Sequence, residues 1–70
     1  MITEIGIVAG EIWHCLDSRN GEVNFSDLKK CVDRPKDILL MSLGWLAREG
    51  YVVLEQLPRE DYKIKLRKTQ

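Results

Sequence analysis

Residues 35–50 read PKDILLMSLGWLAREG, and the decision about the fold rests on them. Pro35 is suited to a first helical turn, where its missing N–H is no loss, and Gly50 is suited to the position just past a last turn. Between them, Leu39, Leu43 and Leu46 recur at helical spacing, with Ile38, Ser42 and Ala47 at the borders of that face. Asp37, Met41, Gly44 and Arg48 fall roughly opposite, flanked by Leu40 and Trp45. The stretch therefore predicts one amphipathic helix with a marked start and stop. Arg34 precedes proline, is pushed out of helical geometry, and takes the cap position, with Asp37 favourable to the helix dipole.

Working outward toward the N-terminus, Ser26 is a good cap for a short helix over Asp27–Val32, with Leu28, Cys31 and Val32 turned inward. Asp33-Arg34 then makes a tight turn into the longer helix. Glu22–Phe25 is a short strand candidate. Before it, Asp17–Gly21 (DSRNG) breaks the chain with residues that tolerate turns and positive φ. The first helix covers residues 3–17, capped by Thr3, with Ile5, Val8, Ala9, Ile12, Trp13 and Leu16 in one stripe. That stripe predicts a buried Trp13. Gly6 and Gly10, four apart, would allow another element to approach one face of this helix.

Outward in the other direction, Tyr51–Leu57 reads as a strand and Pro58–Asp61 as a turn. Tyr62, Ile64 and Leu66 then alternate with Lys63, Lys65 and Arg67 on a returning strand, and Thr69 and Gln70 are expected to fray. The elements run α1-β1-α2-α3-β2-β3. The fold class is mainly α with a small antiparallel sheet, a winged helix-turn-helix in one domain over residues 1–70.

Composition sets limits on function. Seventy residues bury only about 60% of the surface exposed by the unfolded chain, so dimerisation is an expected way to enlarge the core. Cys15 and Cys31 sit inside helical patterns, so reduced thiols in a cytoplasmic protein are the plain reading. Glu4, Glu11 and Asp17 interrupt the first apolar stretch, which excludes a signal peptide or a membrane span there. Net charge is zero, from 11 basic and 11 acidic residues, but it is unevenly placed. Residues 1–28 hold five acidic residues against Arg19 alone, whereas residues 29–70 hold ten basic against six acidic. One basic face on a neutral molecule follows.

The motifs G-x-x-A-G-x-I-W-H (Gly6–His14), F-S-D-L-K-K (Phe25–Lys30) and L-G-W-L-A-R-E-G (Leu43–Gly50) carry a resemblance over almost the whole chain. The chain resembles a small prokaryotic family of stand-alone winged helix-turn-helix domains with no assigned function. The resemblance implies the fold and DNA binding, and brings no catalytic or ligand residues with it.

No enzyme chemistry emerges from the residues. His14, Cys15 and Cys31 are too few for a tetrahedral metal site, and a single His cannot build a nucleophilic triad. No phosphate-cradling glycine pattern occurs. No cofactor, small-molecule ligand or membrane partner is implied. The candidates for DNA contact are Lys29, Lys30, Arg34, Lys36, Ser42 and Arg48 around the second and third helices, with Arg59, Lys63, Lys65, Arg67 and Lys68 on the wing. Base edges are read mostly by Arg, Lys, Asn or Gln, yet the outer face of the third helix offers Leu40, Met41, Gly44 and Trp45. Such an apolar strip is the candidate for a homodimer or partner interface, and a protein-interaction domain without base readout is the alternative function.

Overall fold

The structure, a computed structural model, describes residues 2–67. Helix α1 spans Ile2–Ser18, strand β1 Glu22–Asn24, helix α2 Phe25–Cys31 and helix α3 Lys36–Arg48. Strand β2 (Val52–Leu57), a 3-10 turn (Pro58–Glu60) and strand β3 (Asp61–Leu66) complete the order α1-β1-α2-α3-β2-β3. The architecture is that of a winged helix: three helices and a three-stranded antiparallel sheet. The expected fraying of Thr69 and Gln70, and the placement of Lys68, lie outside the described residues.

Sheet order is β1-β3-β2, so β3 is central and both neighbours pair with it. Its register sets Val23 opposite Ile64 on one side and Leu54 opposite Ile64 on the other. Ile64 is fully buried, and Lys63 and Lys65 face the other side of the sheet, as period-two alternation requires. Ile64 belongs to one buried cluster with Val8, Ile12 and Leu16 of α1, Leu28 of α2, and Leu39 and Leu43 of α3.

The stops of α1 and α3 share one mechanism. After α3, Gly50 takes φ +85°, its N–H bonds the Ala47 carbonyl at 3.1 Å, and the Tyr51 N–H bonds the Leu46 carbonyl at 2.9 Å. That is a Schellman cap, and the left-handed residue in it is where glycine carries no Cβ penalty. After α1, Asn20 takes the left-handed position (φ 62°), and the Gly21 N–H reaches back to the Leu16 carbonyl at 2.7 Å.

Several local expectations are corrected. Helix α2 begins at Phe25, earlier than its polar signal, with Asn24 at the cap position making no side-chain cap bond. Ser26, read as the cap, lies inside the helix and uses its N–H and hydroxyl elsewhere, as described below. Pro35 itself is the N-cap of α3 and Arg34 lies one residue outside it. Trp13 is 42% exposed rather than buried, because it lies at the edge of the α1 stripe where no element covers it fully. In its place Cys15, only 4% exposed, fills the core side of the helix. The thiols are not free: Cys15 of α1 and Cys31 of α2 form a disulfide, with Cα atoms 6.5 Å apart.

Candidate nucleic-acid interface

The wing is fastened to the helix-turn-helix by one carboxylate. Asp61, at the start of β3, accepts the Ser26 N–H at 3.3 Å and the Ser26 hydroxyl at 3.2 Å, and the Tyr62 N–H at 2.8 Å. Those donors hold its carboxyl below the usual aspartate range, the Tyr62 N–H contributing most. Phe25 sits edge-on to Tyr62 with ring centroids 6.2 Å apart, closing the same corner apolarly. The wing tip between the strands is tight: Arg59 and Glu60 both adopt left-handed backbone, with φ 65° and 59°. The tip and the start of α2 line one cleft.

That cleft is concave, of about 480 Å³, and lies between α2, the start of α3 and the wing tip. Lys29, Lys36 and Arg59 line it, together with Leu40 and Gln56. Lys29 also rests over the Phe25 ring, its Nζ 5.5 Å from the centroid, so its stem is positioned by the core edge. Three cations from three different elements thus converge on one concavity, with Glu60 and the engaged Asp61 on its wing side.

The other candidates are dispersed. Ser42 has no exposed surface; its hydroxyl faces the Ile5 carbonyl at 3.5 Å in the α1–α3 contact and is unavailable to a ligand. Arg34 lies on the far side of α2, where its Nε and Nη2 donate to Glu11 at 3.0 and 2.7 Å. That pairing lowers the Glu11 carboxyl and raises the Arg34 guanidinium, hydrogen bonding being the larger cause for both. Lys63 and Lys65 stand on the outer sheet face; Glu55 lies opposite Lys63 and Glu22 opposite Lys65, and Lys63 Nζ lies 3.4 Å from Glu22. Arg67 follows on the same alternation, beside the Gly50 turn. Lys30 and Arg48 are exposed on α2 and at the end of α3, outside the cleft lining.

The apolar strip of α3 is exposed, as its spacing suggests, but it divides. Leu40 turns into the wing cleft, while Trp45 lies on the opposite flank against α1, stacked on Tyr51 at 6.3 Å between centroids. Trp45, Tyr51, Trp13, Gly6 and Gly10 line a second groove of about 310 Å³. A Cβ added at Gly6 or Gly10 would meet nothing within 4 Å, so among the described residues no element makes use of their small size. Met41 and Gly44 lie between the two grooves on the outermost line of α3, with Asp37 and Arg48.

Three helices with a hairpin folded against the second of them, and a basic cleft at that junction, define a winged helix-turn-helix domain. Domains of this fold are typically binding modules and not enzymes. The sequence model of the winged helix-turn-helix domain family DUF2582 matches residues 1–68, and the chain belongs to that family. No curated protein and no solved structure matches it. Among the described residues no cluster of three or more His, Cys, Asp or Glu side chains could hold a metal ion. No helix among them is long and apolar enough to cross a membrane.

Proposed function

We propose that this chain is a cytoplasmic DNA-binding module of the transcription-regulator type, one domain over residues 1–70 acting as a homodimer. The observation that carries the reading is the convergence of Lys29, Lys36 and Arg59 on the cleft where α2, α3 and the wing tip meet. In this fold the third helix enters the major groove while the wing reaches the adjoining backbone. Cations on all three elements of that junction are placed to neutralise neighbouring phosphates. Lys30 and Arg48, exposed on the flanks, extend the track. Arg34 and Lys63 are already paired with carboxylates, and Lys65 stands across from Glu22 on the outer sheet face, so these three contribute less.

The outermost line of α3 is Asp37, Met41, Gly44 and Arg48, so only Arg48 has a donor suited to base edges. Binding is accordingly dominated by the backbone, with weak sequence preference. Fluorescence anisotropy on random duplex across a salt series tests this. Each phosphate neutralised steepens the slope of log K against log salt by about 0.9. Replacing Lys29, Lys36 and Arg59 together by Gln should flatten the slope by roughly two to three, while K63Q/K65Q should change it by less than about one. No binding at low salt would overturn the reading.

A second reading has its own observation. The groove of Trp13, Trp45 and Tyr51 over the two glycines of α1 has the aromatic character of a protein contact. It supports a protein-interaction domain, and sedimentation is its test. Trp45→Glu should dissociate a dimer seated there without unfolding the domain. A wild type that stays monomeric at tens of micromolar, roughly where modest interfaces associate, removes the homodimer.

A further inference from the structure

The Cys15–Cys31 disulfide is unequal in its two halves. Cys15 is 4% exposed and belongs to the core, whereas Cys31, the last residue of α2, is solvent-exposed. Both line an open groove of about 810 Å³ between α1 and α2, within the size range of small-molecule sites. Its walls carry His14 and Ser18 from α1, and the Glu11–Arg34 ion pair closes one end. The Ser18 hydroxyl is turned inward to the Cys15 carbonyl at 2.8 Å. The groove lies behind α2, away from the wing cleft.

We propose that this groove is a thiol-exchange site in which a low-molecular-weight thiol of about tripeptide size modifies Cys31. The thiolate of the small molecule attacks Cys31 Sγ, a new S–S bond forms there, and the Cys31–Cys15 bond breaks. Cys15 leaves as a thiolate and takes a proton from water. A second small thiol then attacks the small-molecule sulfur of the mixed disulfide. It releases Cys31 as a thiolate, which is protonated by water, and carries away the symmetrical small-molecule disulfide. The protein gains two electrons and two protons, and two small thiols are oxidised. Attack is directed to Cys31 because its sulfur is the reachable one, while Cys15, once released, withdraws into the core among apolar neighbours.

The two redox states differ in what holds α2. Oxidised, α2 is covalently tied to α1 across a sequence separation of 16 residues. Reduced, it rests on Leu28, Phe25 and the Asp61–Ser26 bonds, because its cap position makes no side-chain bond. Closing a loop of that length restricts the unfolded chain, so reduction should lower the melting temperature by roughly 10 °C or more. This inference stands apart from DNA binding, and none of the three cleft cations takes part in it.

The test is made on the full chain with glutathione as the probe. Wild type equilibrated with oxidised glutathione is quenched with an alkylating agent and weighed intact. The expected product is the internal disulfide, two hydrogens lighter than the reduced chain and with no alkylated cysteine. With reduced glutathione, the expected intermediate carries one glutathione on Cys31, located by peptide mapping, and the melting temperature falls. C15S should accept one glutathione from oxidised glutathione at least about tenfold faster than C31S, because only the first leaves the exposed sulfur. Two freely alkylated thiols after oxidation, glutathione mapped to Cys15, or equal rates in the two variants would overturn the proposal. The wild-type measurements decide it even where a variant fails to fold.

Discussion

Ile64→Ala is the substitution on which the packing argument bears most directly. Ile64 sits on the central strand with no exposed surface, opposite Val23 and Leu54, in a buried cluster that includes side chains from all three helices. Truncating a fully buried isoleucine to alanine removes about 2–5 kcal/mol, through lost transfer free energy and the cavity left behind. A strand position adds up to about 1 kcal/mol more, because alanine fits a pleated surface poorly. Native domains hold roughly 0.05–0.15 kcal/mol per residue, or about 4–10 kcal/mol for a chain of this length. The variant should therefore sit at the edge of unfolding, its melting temperature lowered by roughly 10–30 °C. Urea unfolding followed by far-ultraviolet circular dichroism measures it, with an unchanged m-value as evidence that the same two states are compared. Two controls share the assay. Val53→Ala, on a side chain 50% exposed, should stay within about 0.5 kcal/mol. Trp13→Ala, 42% exposed, should lose less than Ile64→Ala despite the larger side chain. A Trp13→Ala loss exceeding that of Ile64→Ala would refute the assignment of the core to the sheet centre.

Gly50→Ala should destabilise by about 1–2 kcal/mol, because φ +85° is left-handed while the nearest atom to a new Cβ, Arg67 Nη1, is 3.6 Å away and leaves room. Thermal unfolding checks it, and Gly50→Asn should recover part of the loss. The Asp61 clamp gives a pH dependence of defined sign. Its carboxyl is lowered in the folded state, so its contribution is present above the unfolded aspartate value of about 3.9 and is lost as pH falls through the folded one. Following the Ser26 amide by NMR from neutral to acid pH should show it shift only in that acid window, and D61N should remove the step.

Much of the fold was legible because local chemistry and tertiary demand agree at its boundaries. Gly50 could end α3 and does so with the expected backbone; Leu39, Leu43 and Leu46 shared a face and are buried together. What escaped the sequence was decided between elements. A helical wheel marks Trp13 as a border residue but carries no record of whether a neighbour covers that border. Ser26 and Asp61 are distant in the chain, and each alone reads as turn or cap chemistry, so their mutual clamp has no local signature. The same holds for Cys15 and Cys31, whose separation corresponds to no zinc or staple motif and whose meeting depends on how α1 crosses α2. For the candidate interface, counting cations names the elements that carry them but gives no record of which of them share a face. Strand alternation places Lys63 and Lys65 opposite Ile64, and cross-strand glutamates then decide that they face a neutralised sheet.

The position of β3 also dictates an order of events during synthesis. Both other strands pair with β3 alone, and it is the last of the three in the chain; Glu22 waits for Lys65. As the nascent chain grows from its N-terminus, α1, α2 and α3 can dock on one another while β1 and β2 still have no partner. Val23 and Val52, later buried, stay open until β3 clears the ribosome. Pairing of β1 with β3 is therefore a late, non-local step, slower than helix docking. A chain released before β3 would present two unpaired strand edges beside an uncovered apolar layer, the kind of species that associates rather than folds.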